Sequence, residues 1–186
     1  MRFSLLKSAL TAAMVLSSPL MVYADTDNAA AQTFQTGCLK AWMGRSEAIK
    51  DKVDYQNFGE KYCACAATQP LATASDVQQA AQICMSRIML HDTMDSLEDD
   101  VGLAKTTSEN ITEYCHDRWN LIYPSMSEAD KTATAAYCEC ANPKLFDLVK
   151  KSDSMTDKTY SNEIDGIAGA CSGKVKADET TTKAPH

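Results

Sequence analysis

Two Cys-x-Cys pairs, Cys63 with Cys65 and Cys138 with Cys140, are the residues of this chain whose type and spacing most directly admit chemistry. Two thiols so placed can exchange with a disulfide, hold a soft metal ion as thiolates, or form structural bridges. Their surroundings decide between these. Each pair lies in a recurring segment, Tyr62-Cys63-Ala64-Cys65-Ala66 and Tyr137-Cys138-Glu139-Cys140-Ala141. Upstream stands a lone cysteine, Cys38 or Cys115, with a tryptophan at the fourth residue after it, Trp42 or Trp119. Downstream stands another lone cysteine, Cys84 or Cys171. All eight cysteines are thereby placed, and the chain reads as a tandem duplication.

The elements that must position these cysteines follow from helix geometry. Residues two apart on a helix point about 200° apart. The members of a Cys-x-Cys pair therefore face opposite sides and can tie a central helix to a neighbour on each side. The expected fold is all-α, built as two tandem three-helix units, each stapled by two disulfides. Cys38, Cys63, Cys65 and Cys84 would close within the first unit, and Cys115, Cys138, Cys140 and Cys171 within the second. Which member of each pair takes which lone cysteine stays open at this level. A unit of roughly 75 residues has only a few kcal/mol of net stability from its core, and each bridge adds about 2 to 4 kcal/mol. Trp42, Tyr62, Trp119 and Tyr137 are expected as core residues beside the staples. An exchanging dithiol or a thiolate metal site would leave the lone cysteines of each copy unexplained, so bridging is the preferred reading.

The beginning of the chain points to an oxidising compartment. Arg2 and Lys7 flank a short charged region, an apolar run spans Ala9 to Leu16, and Val22-Tyr23-Ala24 supplies small residues at the cleavage positions. Residues 1–24 read as a signal peptide, and Ser17, Ser18 and Pro19 cut the apolar run short of the roughly 20 residues of a membrane span. The expected localisation is periplasmic or extracellular. Cleavage removes Arg2 and Lys7 and no acidic residue, so the formal charge of −7 becomes −9. An acidic chain argues against nucleic acid and anionic membrane surfaces, which reward clustered Lys and Arg. The expected partner is another protein or an envelope component, with no membrane span.

Periodicity then orders the chain. Phe34, Cys38, Leu39 and Trp42 fall at helical spacing in a first helix from Asp25 to about Arg45. Phe58, Tyr62 and Cys65 share a stripe of a second helix, from about Tyr55 to Thr68, that Pro70 closes. Ser75 with Gln78 reads as a capping box opening a third helix, which carries Val77, Ala81, Cys84 and Ile88 and runs toward Val101, with Gly102 as its stop. In the second copy, Thr106 with Glu109 and Ser125 with Glu128 read as further boxes, and Pro143 is expected to break or restart the helix holding Cys140. Tyr160, Ile164, Ile167, Ala168 and Cys171 form the last helix. The expected domains are the first four-Cys unit over 25–91, an acidic helical connector over 92–107, and the second unit over 108–173. A disordered tail is expected over 174–186.

Other groups could do chemistry. Met85, Met89, His91 and Met94 would suit Cu(I), which favours thioether and imidazole, though methionines at this spacing also fill cores. Cys115-His116-Asp117 resembles the His-Asp pair, preceded by cysteine, of secreted phospholipases A2. The resemblance covers three residues and implies a calcium-assisted hydrolase. Those enzymes hold calcium in a glycine-rich loop, whereas the glycines here are scattered singly. Asp92, Asp95, Glu98, Asp99 and Asp100 lack the spacing of a calcium loop and read as a solvated helix face. Asn110-Ile111-Thr112 is a glycosylation sequon. Tyr-Cys-x-Cys helices also resemble those of small exported bacterial proteins, a likeness that implies no activity. The expectation is a binding protein with no catalytic residues, no cofactor and no metal, such as an envelope accessory factor or a secreted effector. The alternatives are a thiol-disulfide or copper-handling protein and a phospholipase-like hydrolase.

Overall fold

The computed structural model describes residues 26–174, and over this span the chain is helical without a strand. The signal peptide expected over 1–24 lies outside the described residues, as does the tail expected over 174–186 apart from Lys174, which ends a 3-10 turn over Ser172–Lys174. Six α-helices follow one another: α1 Thr26–Met43, α2 Lys52–Ala67, α3 Ala74–Asp100, α4 Ser108–Ile122, α5 Glu128–Val149 and α6 Asp157–Cys171. The all-α fold read from the periodicity is the fold observed.

Helix starts are set by side chains that satisfy the first backbone N–H groups, which have no partner within the helix. Asp51 accepts from the Val53 and Asp54 amides, and Thr156 from that of Thr159. The helices α3, α4 and α5 open on reciprocal capping boxes, Thr73 with Asp76, Thr107 with Asn110, and Ser127 with Asp130. These replace the boxes expected at Ser75–Gln78, Thr106–Glu109 and Ser125–Glu128. A search for Glu or Gln three residues after the cap overlooks that the shorter Asp and Asn oxygens reach the same N–H.

Pro143 brings a second correction, because α5 runs through it unbroken to Val149. The proline lies on an exposed face beside the exposed Glu139. Water there can serve the Glu139 carbonyl that the missing N–H leaves without a donor. In the same turn Lys144 Nζ donates to the Cys140 carbonyl at 3.1 Å. A third departure concerns Phe34, which is 38 % exposed rather than inward on the stripe of α1, whereas Trp42 is 2 % exposed.

The third helix is the spine. It packs against α2, α4 and α6, while α1 lies on α2 and α5 lies against α4 and α6. Beyond His91 it continues without a break to Asp100: Asp95, Glu98, Asp99 and Asp100 are exposed, and Thr93, Met94 and Leu97 are buried. Gly102 closes it with φ at 81°, a left-handed value that favours glycine, and its N–H donates to the Leu97 and Glu98 carbonyls. The buried side chains form one cluster that runs from Trp42, Tyr55 and Phe58 through Met89, Leu90 and Leu97 to Ile111, Trp119, Leu145 and Ile164.

Candidate functional site

Cys38 is bonded to Cys63, Cys65 to Cys84, Cys115 to Cys138, and Cys140 to Cys171. In both Cys-x-Cys pairs the first cysteine reaches back to the preceding helix and the second reaches forward to the following one. Helix geometry sets the two members on opposite sides, and the packing of the neighbouring helices sets which one each meets. Cys63 and Cys138 face inward and are 1 % exposed, while Cys65 and Cys140, on the opposite side of the helix, are half-buried. No cysteine is left free. A dithiol or thiolate metal ligand would therefore require a bridge to be opened first.

Each tryptophan lies beside the first bridge of its copy, with different company. The Trp42 ring stacks on Tyr55 at 4.9 Å and Phe58 at 5.6 Å, and tilts against Tyr62 at 5.4 Å. Its indole N–H donates to the Tyr55 carbonyl at 2.9 Å. The ring lies directly over Gly59, where a Cβ would come within 2.4 Å of it. Trp119 instead stacks on Tyr123 at 5.9 Å and meets the edge of Tyr137 at 5.7 Å. Counted from the cysteines, Thr134 stands where copy one has Gly59, and Asp130 where it has Tyr55. Tyr62, half-buried, is packed less deeply than Tyr137, which has no exposed surface.

Tyr137 reaches a fully buried hydroxyl network that joins α3, α5 and α6. Ser86 shares its one hydroxyl proton between the Ala168 carbonyl at 2.7 Å and the Tyr137 oxygen at 2.8 Å, and Tyr137 donates to the Ser86 carbonyl at 2.8 Å. Burial pushes the Tyr137 phenol well above its ordinary value of 10, against a smaller opposing effect from the Ser86 hydrogen bond. Tyr160 on α6 is pushed up to about 12, first by burial and then by Glu98 and Asp95. Tyr137→Phe is expected to cost about 1 to 2 kcal/mol at pH 7, because the buried Ser86 carbonyl loses a second donor and the Ser86 hydroxyl loses an acceptor. A phenol whose folded value exceeds the unfolded one adds stability that is full below pH 10 and is lost above it. The difference between wild type and variant should thus narrow above pH 10 in urea titrations, and a constant difference would show that the phenol is not held protonated.

The groups singled out for metal chemistry are dispersed. Met85, Met89 and Met94 are buried in the core, and Met85 Sδ accepts from the Tyr123 hydroxyl at 3.8 Å. His91 points instead toward α6, where its Nε2 lies 3.1 Å from Asp165 Oδ1, beside Arg87. Among the described residues no group of three or more His, Cys, Asp or Glu is arranged to hold a metal ion. Of the phospholipase-like pair, His116 is half-buried and Asp117 exposed, on successive positions of α4 that point about 100° apart.

The middle of α3 gathers charge instead. On one side Arg87 and His91 meet Asp165. On the other, Arg118 of α4 reaches Asp92 of α3 at 3.5 Å and Asp54 of α2 at 3.7 Å. Lys61 of α2 lies 4.0 Å from Asp95. Burial raises Asp92 above the usual carboxylate value, with Arg118 and then Lys61 opposing it and Asp54 and Asp95 adding to it. Nothing in the sequence announced this juxtaposition, because Asp54, Asp92 and Arg118 come from three different helices. Comparison with protein families, with curated proteins and with solved structures finds no match.

Proposed function

We propose that this is an exported protein that acts by binding rather than by catalysis, in the manner of an envelope accessory factor or a secreted effector. In this reading two three-helix units, joined through α3, present their outer faces to another protein or to an envelope component. The carrying observation is that all eight cysteines are closed into four bridges with none free, which fits an oxidising compartment and supports a scaffold role for the Cys-x-Cys pairs. Among the described residues no helix is long and apolar enough to cross a membrane. Burial of Met85, Met89 and Met94 in the core supports packing as their role.

The test has two parts. Intact-mass measurement of the exported protein after alkylation without reductant should show no added mass, and a pair that takes up reagent would replace this reading with thiol chemistry. Chemical crosslinking in the intact envelope should then move the protein into a discrete larger species. A protein that stays uncrosslinked at its own mass would remove the binding reading.

A further inference from the structure

We infer that the open side of the first unit, between α1 and the first turns of α3, is a docking groove for one amphipathic helix of a partner protein, seated there as the second half of α3 is seated on α4 and α6. This groove presupposes the binding role proposed above and gives it a face. Counted from the cysteines, α1, α2 and the first half of α3 correspond to α4, α5 and α6. The later set is closed into a ring of four, because α3 packs on both α4 and α6, which themselves flank α5. In the earlier set α1 packs on α2 and α2 on α3, and nothing comparable lies across α1 and α3 among the described residues.

The side chains record the difference. Ile111 and Ile164 are 1 % and 2 % exposed. Ser86 of α3 donates to the Ala168 carbonyl one turn after Ile164, and Asp92 of α3 meets Arg118 two turns after Ile111. Their counterparts Phe34 and Val77 are 38 % and 41 % exposed. Where α4 has Tyr114 and Arg118 reaching α3, α1 has the exposed Gly37 and Ala41, and a Cβ on Gly37 would meet nothing within 4 Å. The Cys38–Cys63 and Cys65–Cys84 bridges bring together three segments, 28–39, 62–75 and 77–86, that contain no Asp, Glu, Lys, Arg or His. Loss of charge around exposed apolar side chains is the composition of an interface core rather than of a solvated face.

The occupant follows from what covers the equivalent face. It is a helix with its apolar residues on one side, as Met89, Leu90, Met94 and Leu97 are on α3. A second copy added head to tail would have to offer the stretch after Cys171, the counterpart of α3 beyond Cys84, and residues 172–186 hold Val175 as their one large apolar side chain. The helix therefore comes from another protein.

Photocrosslinking from benzoylphenylalanine placed at position 34 or, separately, at position 77 of the exported protein in the intact envelope tests the groove. Both should trap the same partner, on one segment whose apolar residues recur at steps of three and four. Position 53, where the exposed Val53 has the exposed Glu128 as its counterpart, should give no product. Phe34→Glu should abolish the product from position 77, since it would bury a charge in an uncharged groove. Trapping of a second copy or of residues 175–186 of the same chain overturns the inference, as does equal product from position 53 or product from position 77 that survives Phe34→Glu. Discrete partners trapped elsewhere, with none at 34 or 77, also overturn it and leave the binding role standing, whereas no discrete species from any position removes both.

Discussion

Removing the Cys140–Cys171 bridge by the paired change Cys140→Ala and Cys171→Ala is expected to lower stability by about 3 to 4 kcal/mol. The estimate follows from the loop that the bridge closes, with a sequence separation of 31, and from the freedom which the unfolded chain regains when that loop opens. Cys171 has no exposed surface, so alanine there also leaves packing unfilled and adds to the loss. For a chain of this size the melting temperature should fall by roughly 6 to 16 °C, since each kcal/mol corresponds to about 2 to 4 °C. Calorimetry on the non-reduced variant measures it. A fall of under about 2 °C would mean that α6 is held by its apolar face and by the Ser86–Ala168 hydrogen bond, with the staple redundant.

Gly59→Ala carries the second large effect and separates the two copies. On an open helix the change would stabilise, because alanine is favoured over glycine by about 1 kcal/mol. Here the new Cβ would come within 2.4 Å of Trp42, whose ring is held by Tyr55, Phe58 and Tyr62 and whose N–H is committed to the Tyr55 carbonyl. The ring must move and take its hydrogen bond with it. Overpacking of about 1 to 3 kcal/mol, together with a displaced donor, outweighs the helix gain, for a net loss of about 2 kcal/mol. Trp42 fluorescence should shift to the red as the indole leaves its enclosure, which can be read in a Trp119→Phe background. A Gly59→Ala protein as stable as wild type with unshifted emission would mean that the Trp42 nest adjusts freely. The corresponding site in copy two already holds Thr134, because Trp119 stacks on Tyr123 rather than lying over that turn.

Several features were legible without coordinates because they depend on local spacing. The helix around Phe58, Tyr62 and Cys65 required no partner to be recognised, and neither did the stop at Gly102, but the buried stripe of that helix runs through Tyr55, Phe58, Gly59, Cys63 and Ala66 rather than through Cys65. The capping boxes lie a residue or two from the places that the Glu and Gln pattern indicates. Local hydrogen bonding accepts Asp and Asn as well as Glu and Gln, and only the backbone path shows which hydroxyl precedes the first turn. Pro143 departs from the expected break for a related reason: a proline costs a helix most where the carbonyl it orphans is dry, and burial is not a local property.

The recurrence of Tyr-Cys-x-Cys-Ala and the opposed directions of residues two apart were enough, by themselves, to determine helices stapled on both sides, because both are properties of one helix. Tertiary structure alone decided that the first cysteine of each pair reaches back and the second forward, since the choice depends on which side of the central helix each neighbour packs. It also decided that Met94 and Leu97 make the acidic half of α3 part of the core, and that Asp54, Asp92 and Arg118 meet at one seam. Those outcomes are set by which helix faces which, and the free energy of burying a face belongs to the pair of surfaces rather than to either sequence segment.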